Sequence, residues 1–255
     1  FPDSLLQQLP NLKLLLTAGM KNASIDIEAA KKLGITVCGT TSPGHATAEL
    51  TWGLILAVLR KLCVEDVNTR NGQWQTTLGN DLHGKTLGII GLGRLGSRVA
   101  AVGQAFSMNV LAWSENLTAE RCRESGVTLS SKEELLSNSD VITIHLRLSE
   151  RTRGLINAAE FERMKSSAVI INTSRGPIID ENALIDTLRK NRIAGAGLDV
   201  YNTEPLPAAH PLLQLENTVI SPHLGFVTEE SYRIFYGQML EDILAYISGS
   251  PIRVL

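Results

Sequence analysis

The chain has 255 residues, a length that at roughly 150 residues per domain suits one large domain or two modest ones. Its 24 basic and 26 acidic side chains leave a net charge of −2, without the basic excess of a protein that grips a nucleic-acid backbone. With 44% hydrophobic and 20% charged residues it can bury a sizeable core, which excludes a disordered tail.

Ser4-Leu-Leu-Gln7 has the spacing of a capping box and predicts a short first helix. Short apolar runs at 12–16, 35–37, 86–90, 110–113, 141–145, 169–171, 193–197 and 218–220 predict strands. Several lack polar alternation, as strands buried on both faces of a parallel sheet do. A strongly apolar helix is expected over 46–61, after the turn signal Ser42-Pro43-Gly44. Residues 68–82, with Trp74, read as a long polar loop and a candidate interface arm. Helical spacing recurs at 94–104 and 182–190, and Ser131 with Glu134 forms a second capping box. The last helix, 228–247, sets Tyr232, Phe235, Tyr236, Met239, Leu240, Ile243 and Ile247 on one stripe, which reads as core or interface packing. Alternating strands and helices imply βαβ units with right-handed crossovers, hence the α/β class.

Three cysteines (Cys38, Cys63 and Cys122) without a CxxC pair make neither a disulfide framework nor a metal site, and suit a reducing, cytoplasmic setting. The richest apolar run, 50–59, falls far short of the ~20 residues of a membrane span. Phe1-Pro2-Asp3 opens no secretory signal.

The sharpest local pattern is Gly91-Leu-Gly93-Arg94-Leu95-Gly96, set between the strand at 86–90 and the helix at 94–104. A dinucleotide-binding loop requires that setting. Gly91 permits the tight turn, Gly93 lets a pyrophosphate approach the backbone, and Gly96 lets the helix pack close to the strand. First-turn N–H groups and the helix dipole then attract phosphate. The next strand ordinarily ends in an acid that holds the ribose hydroxyls, but here it ends Ala112-Trp113-Ser114-Glu115. Ser114 removes the charge that repels a 2′-phosphate, whereas Glu115 would repel one and no Arg follows immediately. NAD and NADP both stay open.

Three further clusters each follow a predicted strand: Asn172-Thr173-Ser174-Arg175-Gly176, residues 197–205 with Asp199 and Glu204, and Ser221-Pro222-His223-Leu224-Gly225. Residues just past the carboxyl ends of strands line the ligand crevice of an open α/β sheet. Singly, each has a structural explanation: a solvated Arg, a turn Glu before Pro, a loop His. Together, past strand ends of one sheet, an Arg, an acid pair and a His point to one catalytic site.

With GLGRLG (91–96), NTSRG (172–176), GLDVYNTEP (197–205) and SPHLG (221–225) in this order, the chain over residues 12–247 resembles the D-isomer-specific 2-hydroxyacid dehydrogenase family. The resemblance implies that Arg175 binds the substrate carboxylate and polarises its carbonyl, a task for a planar guanidinium that keeps its proton. It implies that His223 exchanges a proton with the carbonyl oxygen. Glu204 would orient the imidazole and raise its pKa. Arg94 and Leu95 would meet the pyrophosphate, and Ser114 the adenosine ribose. Leu146, Thr173 and Gly225 would line the cofactor cleft, and Asp199 would hold the nicotinamide carboxamide or ribose. Gly19 and Met20 would give backbone contacts to substrate and cofactor. Strand–helix units that precede 12–16 in the family are expected to be missing here.

The expected architecture is a Rossmann-type doubly wound parallel sheet over 44–224, with a smaller, truncated flavodoxin-like substrate domain from 1–43 and 225–255. The active site is expected in the cleft between the two. The expected activity is NAD(P)-dependent interconversion of a small 2-oxo acid and a D-2-hydroxy acid, in a homodimer built through 46–61 and 68–82, with no metal, nucleic-acid or membrane partner. Two other readings are open: a non-catalytic, corepressor-like dinucleotide-binding module, and an inactive dimerising fragment.

Overall fold

Apolar strands without polar alternation have to be covered on both faces, and helices do this here. The computed structural model describes residues 1–22, 24–42 and 44–255, so the turn predicted at Ser42-Pro43-Gly44 lies partly outside the described residues, at Pro43. The chain divides into two units: Gly44–Gly225, and a smaller one made of Phe1–Pro43 with Phe226–Leu255.

The smaller unit begins with α1 (Asp3–Leu6), β1 (Leu14–Thr17), α2 (Ile27–Lys32) and β2 (Thr36–Gly39). β1 and β2 form a two-stranded parallel sheet with Leu15 opposite Val37. Leu6, Ile25, Ala29, Ala30, Ile35 and Val37 make its core. The capping box predicted at Ser4 and Gln7 does not form. The helix starts two residues earlier, with Pro2 and not Ser4 as its N-cap, and Gln7 Nε2 donates instead to Asp3 Oδ2 at 2.8 Å.

The larger unit contains α3 (His45–Leu59), α4 (Leu62–Arg70), β3 (Thr86–Ile90), α5 (Arg94–Ala105), β4 (Asn109–Trp113), α6 (Ala119–Glu124) and β5 (Thr128–Leu129). It continues through α7 (Lys132–Asn138), β6 (Val141–Ile144), α8 (Ala158–Arg163), β7 (Val169–Asn172), α9 (Glu181–Arg189), β8 (Gly195–Leu198) and β9 (Thr218–Ile220). The seven strands are all parallel, in the order β5-β4-β3-β6-β7-β8-β9. This is the doubly wound, Rossmann-type arrangement, and its direction reverses between β3 and β6, where such sheets bind ligands. One face is packed by α3 and α5 through Leu54, Ile55, Val58, Val99 and Ala100. The other is packed by α7, α8 and α9 through Leu135, Leu136, Phe161, Leu184 and Leu188. Gly197 lies under α3, where a Cβ would come within 3.1 Å of Leu54 Cβ.

The capping box predicted at Ser131 is present, with Glu134 Oε2 accepting from Ser131 N and Ser131 Oγ accepting from Glu134 N. Helices α2, α6 and α8 were not predicted, because at six residues each they show too little periodicity; α4, nine residues long, buries none of them and has no core-facing apolar stripe to read. Part of the predicted polar loop 68–82 belongs to α4. The rest is irregular and held to that helix by Glu65, whose Oε1 accepts from the hydroxyls of Thr76 and Thr77.

Back in the smaller unit, α10 (Glu229–Ile247) is capped by Thr228 Oγ1, which accepts from Ser231 N. Its predicted apolar stripe is not core. Phe235 is buried, but Tyr236 and Ile247 are 67% and 75% exposed. The tail lies along β2, with Leu255 N donating to Val37 O and Arg253 Nε to Asp242 Oδ1 at 2.9 Å.

Candidate active site

The loop from β3 to α5 fits a dinucleotide on the evidence of its own backbone. Gly91 has φ +104°, and a Cβ there would lie 2.8 Å from His145 O. At Gly93 a Cβ would meet nothing within 4 Å, so the backbone faces open space that a pyrophosphate can use. At Gly96 a Cβ would collide with Gly91 O, so only glycine lets α5 begin this close to the strand. Arg94 and Leu95 occupy the first turn of α5, the positive end of a twelve-residue helix. Ser114 follows β4 half-buried, and its carbonyl accepts from Leu117 N. Leu146 follows β6, its Cδ2 within 2.9 Å of a Cβ built on Gly91. Thr173 is buried, and its hydroxyl pairs with that of Thr51 on α3 at 2.9 Å.

Beyond the neighbouring strands β7, β8 and β9 stand Arg175, Glu204 and His223. Arg175 is exposed and donates from Nη1 to Ser174 O at 2.6 Å; its other donors have no partner among the described residues. Asn172 Nδ2 braces the turn by donating to Arg175 O at 3.0 Å. The next residue, Gly176, lies so close to Tyr201 that a Cβ would collide with the Tyr201 carbonyl. Tyr201 N in turn donates to Glu204 Oε1 at 2.9 Å. The other Glu204 oxygen, Oε2, lies 2.6 Å from His223 Nδ1, and both side chains are about one-third exposed, at 35% and 32%. The structure thus brings Glu204 and His223 into contact. Arg175 is tied to them through the Gly176–Tyr201 backbone contact.

Asp199 is fully buried and accepts from Ser221 Oγ, Leu224 N and Gly225 N. Gly225 is also held at its carbonyl by Thr47 Oγ1 at 2.6 Å. Gly19 and Met20 belong to the smaller unit and follow β1. Gly19 has φ +89°, its N–H donates to Thr40 Oγ1 at 2.8 Å, and Met20 is exposed.

Sequence reasoning missed Tyr201, Ser221 and His145. Tyr201 and Ser221 lie inside quoted motifs, flanked by residues with obvious charge. His145 ends an apolar run, with its Nε2 3.0 Å from Thr143 Oγ1 and its Nδ1 buried without a partner. Burial lowers its pKa to about 4. Burial also raises the thiol pKa of Cys38 and Cys122.

A Gly-rich loop at the switch point of a doubly wound parallel sheet, with a His–Glu pair beyond its strand ends, defines a dinucleotide-binding oxidoreductase. The D-isomer specific 2-hydroxyacid dehydrogenase NAD binding domain matches residues 52–225. A glyoxylate reductase of Aeropyrum pernix is 41% identical over 96% of this chain and 76% of its own length. A D-3-phosphoglycerate dehydrogenase of Archaeoglobus fulgidus is 40% identical over 97% of this chain, which spans about half (48%) of that protein. The crystal structure of a phosphoglycerate oxidoreductase from Vibrio cholerae superposes with a TM-score of 0.94 at 36% identity, over 98% of this chain and 81% of the other. That of a D-lactate dehydrogenase from Aquifex aeolicus, complexed with NAD and lactic acid, gives 0.84 at 30% identity, over 96% and 79%.

The chain belongs to the D-isomer specific 2-hydroxyacid dehydrogenase family. It is an NAD(P)-dependent oxidoreductase of 2-oxo and 2-hydroxy acids. Dehydrogenases and reductases among its relatives favour this over the corepressor-like module.

Proposed function

We propose that the chain reduces small 2-oxo acids of the glyoxylate and pyruvate kind to D-2-hydroxy acids, reversibly, with Arg175, Glu204 and His223 as its catalytic residues. The observation that carries the reading is the 2.6 Å contact between Glu204 Oε2 and His223 Nδ1, with the second Glu204 oxygen held by Tyr201 N. A reduced nicotinamide, when bound, supplies the hydride that adds to the substrate C2. The protein's own share is the rest. Arg175 pairs with the substrate carboxylate and draws electron density from the adjacent carbonyl. His223 delivers a proton to the carbonyl oxygen as it becomes a hydroxyl, and is recharged from solvent. Glu204 holds Nδ1 and so fixes the orientation of the ring. Gly91, Gly93, Arg94, Leu95 and Gly96 would hold the pyrophosphate, Ser114 the ribose, and Leu146, Thr173, Asp199 and Gly225 the nicotinamide end.

The test is oxidation of NADH and NADPH with glyoxylate, hydroxypyruvate and pyruvate, run on the unmodified chain and on Arg175→Ala. Loss of a charge-assisted pair predicts a fall in kcat/KM of about 10²-fold or more, with cofactor affinity unchanged. Equal collapse of cofactor affinity would displace Arg175 from this role. No turnover with either cofactor, despite measurable cofactor binding, would favour the inactive fragment.

A homodimer in the cytoplasm completes the reading. Its supports are α4, which buries no residue, and the following arm, where Trp74 is 78% and Leu78 93% exposed. Exposed apolar area of this kind marks association surfaces. Trp74→Glu combined with Leu78→Glu should turn a dimer into a monomer by light scattering, and a mass unchanged by the substitutions would refute this surface. Among the described residues the three cysteines are free and no helix is long and apolar enough to cross a membrane.

A further inference from the structure

His223 carries φ +58°, in the left-handed region that is costly for any residue with a side chain. Such a conformation persists where its surroundings over-determine it. Asp199 provides those surroundings from full burial. Its Oδ1 accepts from Ser221 Oγ at 2.5 Å and from Leu224 N at 2.7 Å, and its Oδ2 accepts from Gly225 N at 2.9 Å. Three of the roughly four acceptor sites of a carboxylate are therefore taken, by residues on both sides of His223. Tyr201 closes the same turn, with its hydroxyl donating to Ser221 O at 2.9 Å and lying 3.2 Å from Leu198 O. Burial, reinforced by the Asp199 carboxylate, raises the Tyr201 pKa and keeps the hydroxyl a donor.

We propose that Ser221 is a positioning residue for proton transfer: clamped by Asp199 through its hydroxyl and by Tyr201 at its carbonyl, it fixes the left-handed turn that aims His223. This rests on the reading of His223 as proton donor, and gives Asp199 a task in addition to any cofactor contact. Without the Ser221 hydroxyl, Asp199 loses its shortest hydrogen bond and the turn is released at its start. The imidazole then moves relative to the substrate while Glu204, held by Tyr201 N, stays in place. A misplacement of about 1 Å at a reacting group can cost about 10²-fold.

The test compares Ser221→Ala, Ser221→Thr and Tyr201→Phe in the full chain, with glyoxylate and whichever of NADH and NADPH turns over. In Ser221→Ala, kcat should fall between about tenfold and a hundredfold, while the glyoxylate KM and the cofactor Kd, read by fluorescence titration, stay unchanged. Ser221→Thr keeps the hydroxyl and should recover most of kcat. A merely structural role would lower Tm without this split between kcat and KM. Tyr201→Phe should show the same split in smaller measure, and serves if Ser221→Ala fails to fold. A kcat of Ser221→Ala within about twofold of the unmodified chain, or an equal loss in Ser221→Thr, would overturn the proposal. So would a loss that appears in the cofactor Kd. His223→Asn separates the two readings. If it retains kcat, the proton-donor role falls and this inference with it. If it loses kcat while Ser221→Ala does not, only the role of Ser221 falls.

Discussion

His145 should make the protein acid-sensitive in a definite window. Although part of the residue's surface is accessible, its Nδ1 is shut away from solvent without a partner, and burial lowers the imidazole pKa from 6.5 to about 4. Above pH 6.5 the ring is neutral in both folded and unfolded chains and contributes no pH dependence. Between pH 6.5 and 4 the unfolded chain takes up a proton that the folded chain refuses, so stability falls as pH falls; below 4 both forms are charged and the loss stops. At 1.36 kcal/mol per pKa unit the full loss is about 3 kcal/mol, of which about 2 kcal/mol is spent by pH 5. Urea unfolding without cofactor, at pH 7.5 and pH 5, should be compared for the unmodified chain and His145→Leu. Carboxylates common to both cancel in the difference, and so does the fixed cost of losing the Thr143 hydrogen bond. Between the two pH values the unmodified chain should lose about 2 kcal/mol more than the variant. Parallel pH dependence in the two proteins would refute the argument.

Other substitutions probe the cofactor loop. Ser114→Asp places a carboxylate beyond β4 that can bind a ribose diol and repel a 2′-phosphate. The NAD to NADP ratio of kcat/KM should rise by about tenfold or more, and an unchanged ratio would remove Ser114 from the ribose site. Gly96→Ala drives a Cβ into Gly91 O and must spread the phosphate loop from its strand. Cofactor affinity should fall by about tenfold or more in fluorescence titration, and wild-type affinity would refute the need for glycine there.

Much of the candidate site was legible because its residues sit in short, punctuated motifs. Gly91, Gly93 and Gly96 announce a backbone constraint, and Arg175, Glu204 and His223 each come after a short apolar run that forms a strand. The other strands of the larger unit were legible from such runs, although 193–197 shifted to Gly195–Leu198 to set Gly195 opposite Val169; β5, two exposed residues long, carries no apolar run and was not predicted. What remained hidden depends on tertiary contact. The left-handed turn at His223 has no local signature, because the acceptor that holds it comes from another strand end. The stripe on α10 left core and interface packing both open because 3.6-residue periodicity reports a face and cannot report what covers it. Helix α8 has a capping box at Asn157 and Glu160, but too few turns to show a period.

Under the proposed function, burial assigns different work to the two acids of one motif. Asp199 and Glu204 lie five positions apart, yet Asp199 is wholly buried and the Glu204 side chain 35% exposed. A clamp works best dry, where water cannot compete for its acceptors and each hydrogen bond is electrostatically strong. A proton donor has to be recharged from solvent at every turnover, so its partner must sit where water can reach. Asp199 meets the first condition and accepts from donors of the 221–225 turn; Glu204 meets the second and touches the imidazole itself. Exchanging their environments would defeat both tasks: an exposed Asp199 would let the turn at His223 relax, and a buried Glu204 would isolate the His223 proton from the solvent that has to replace it.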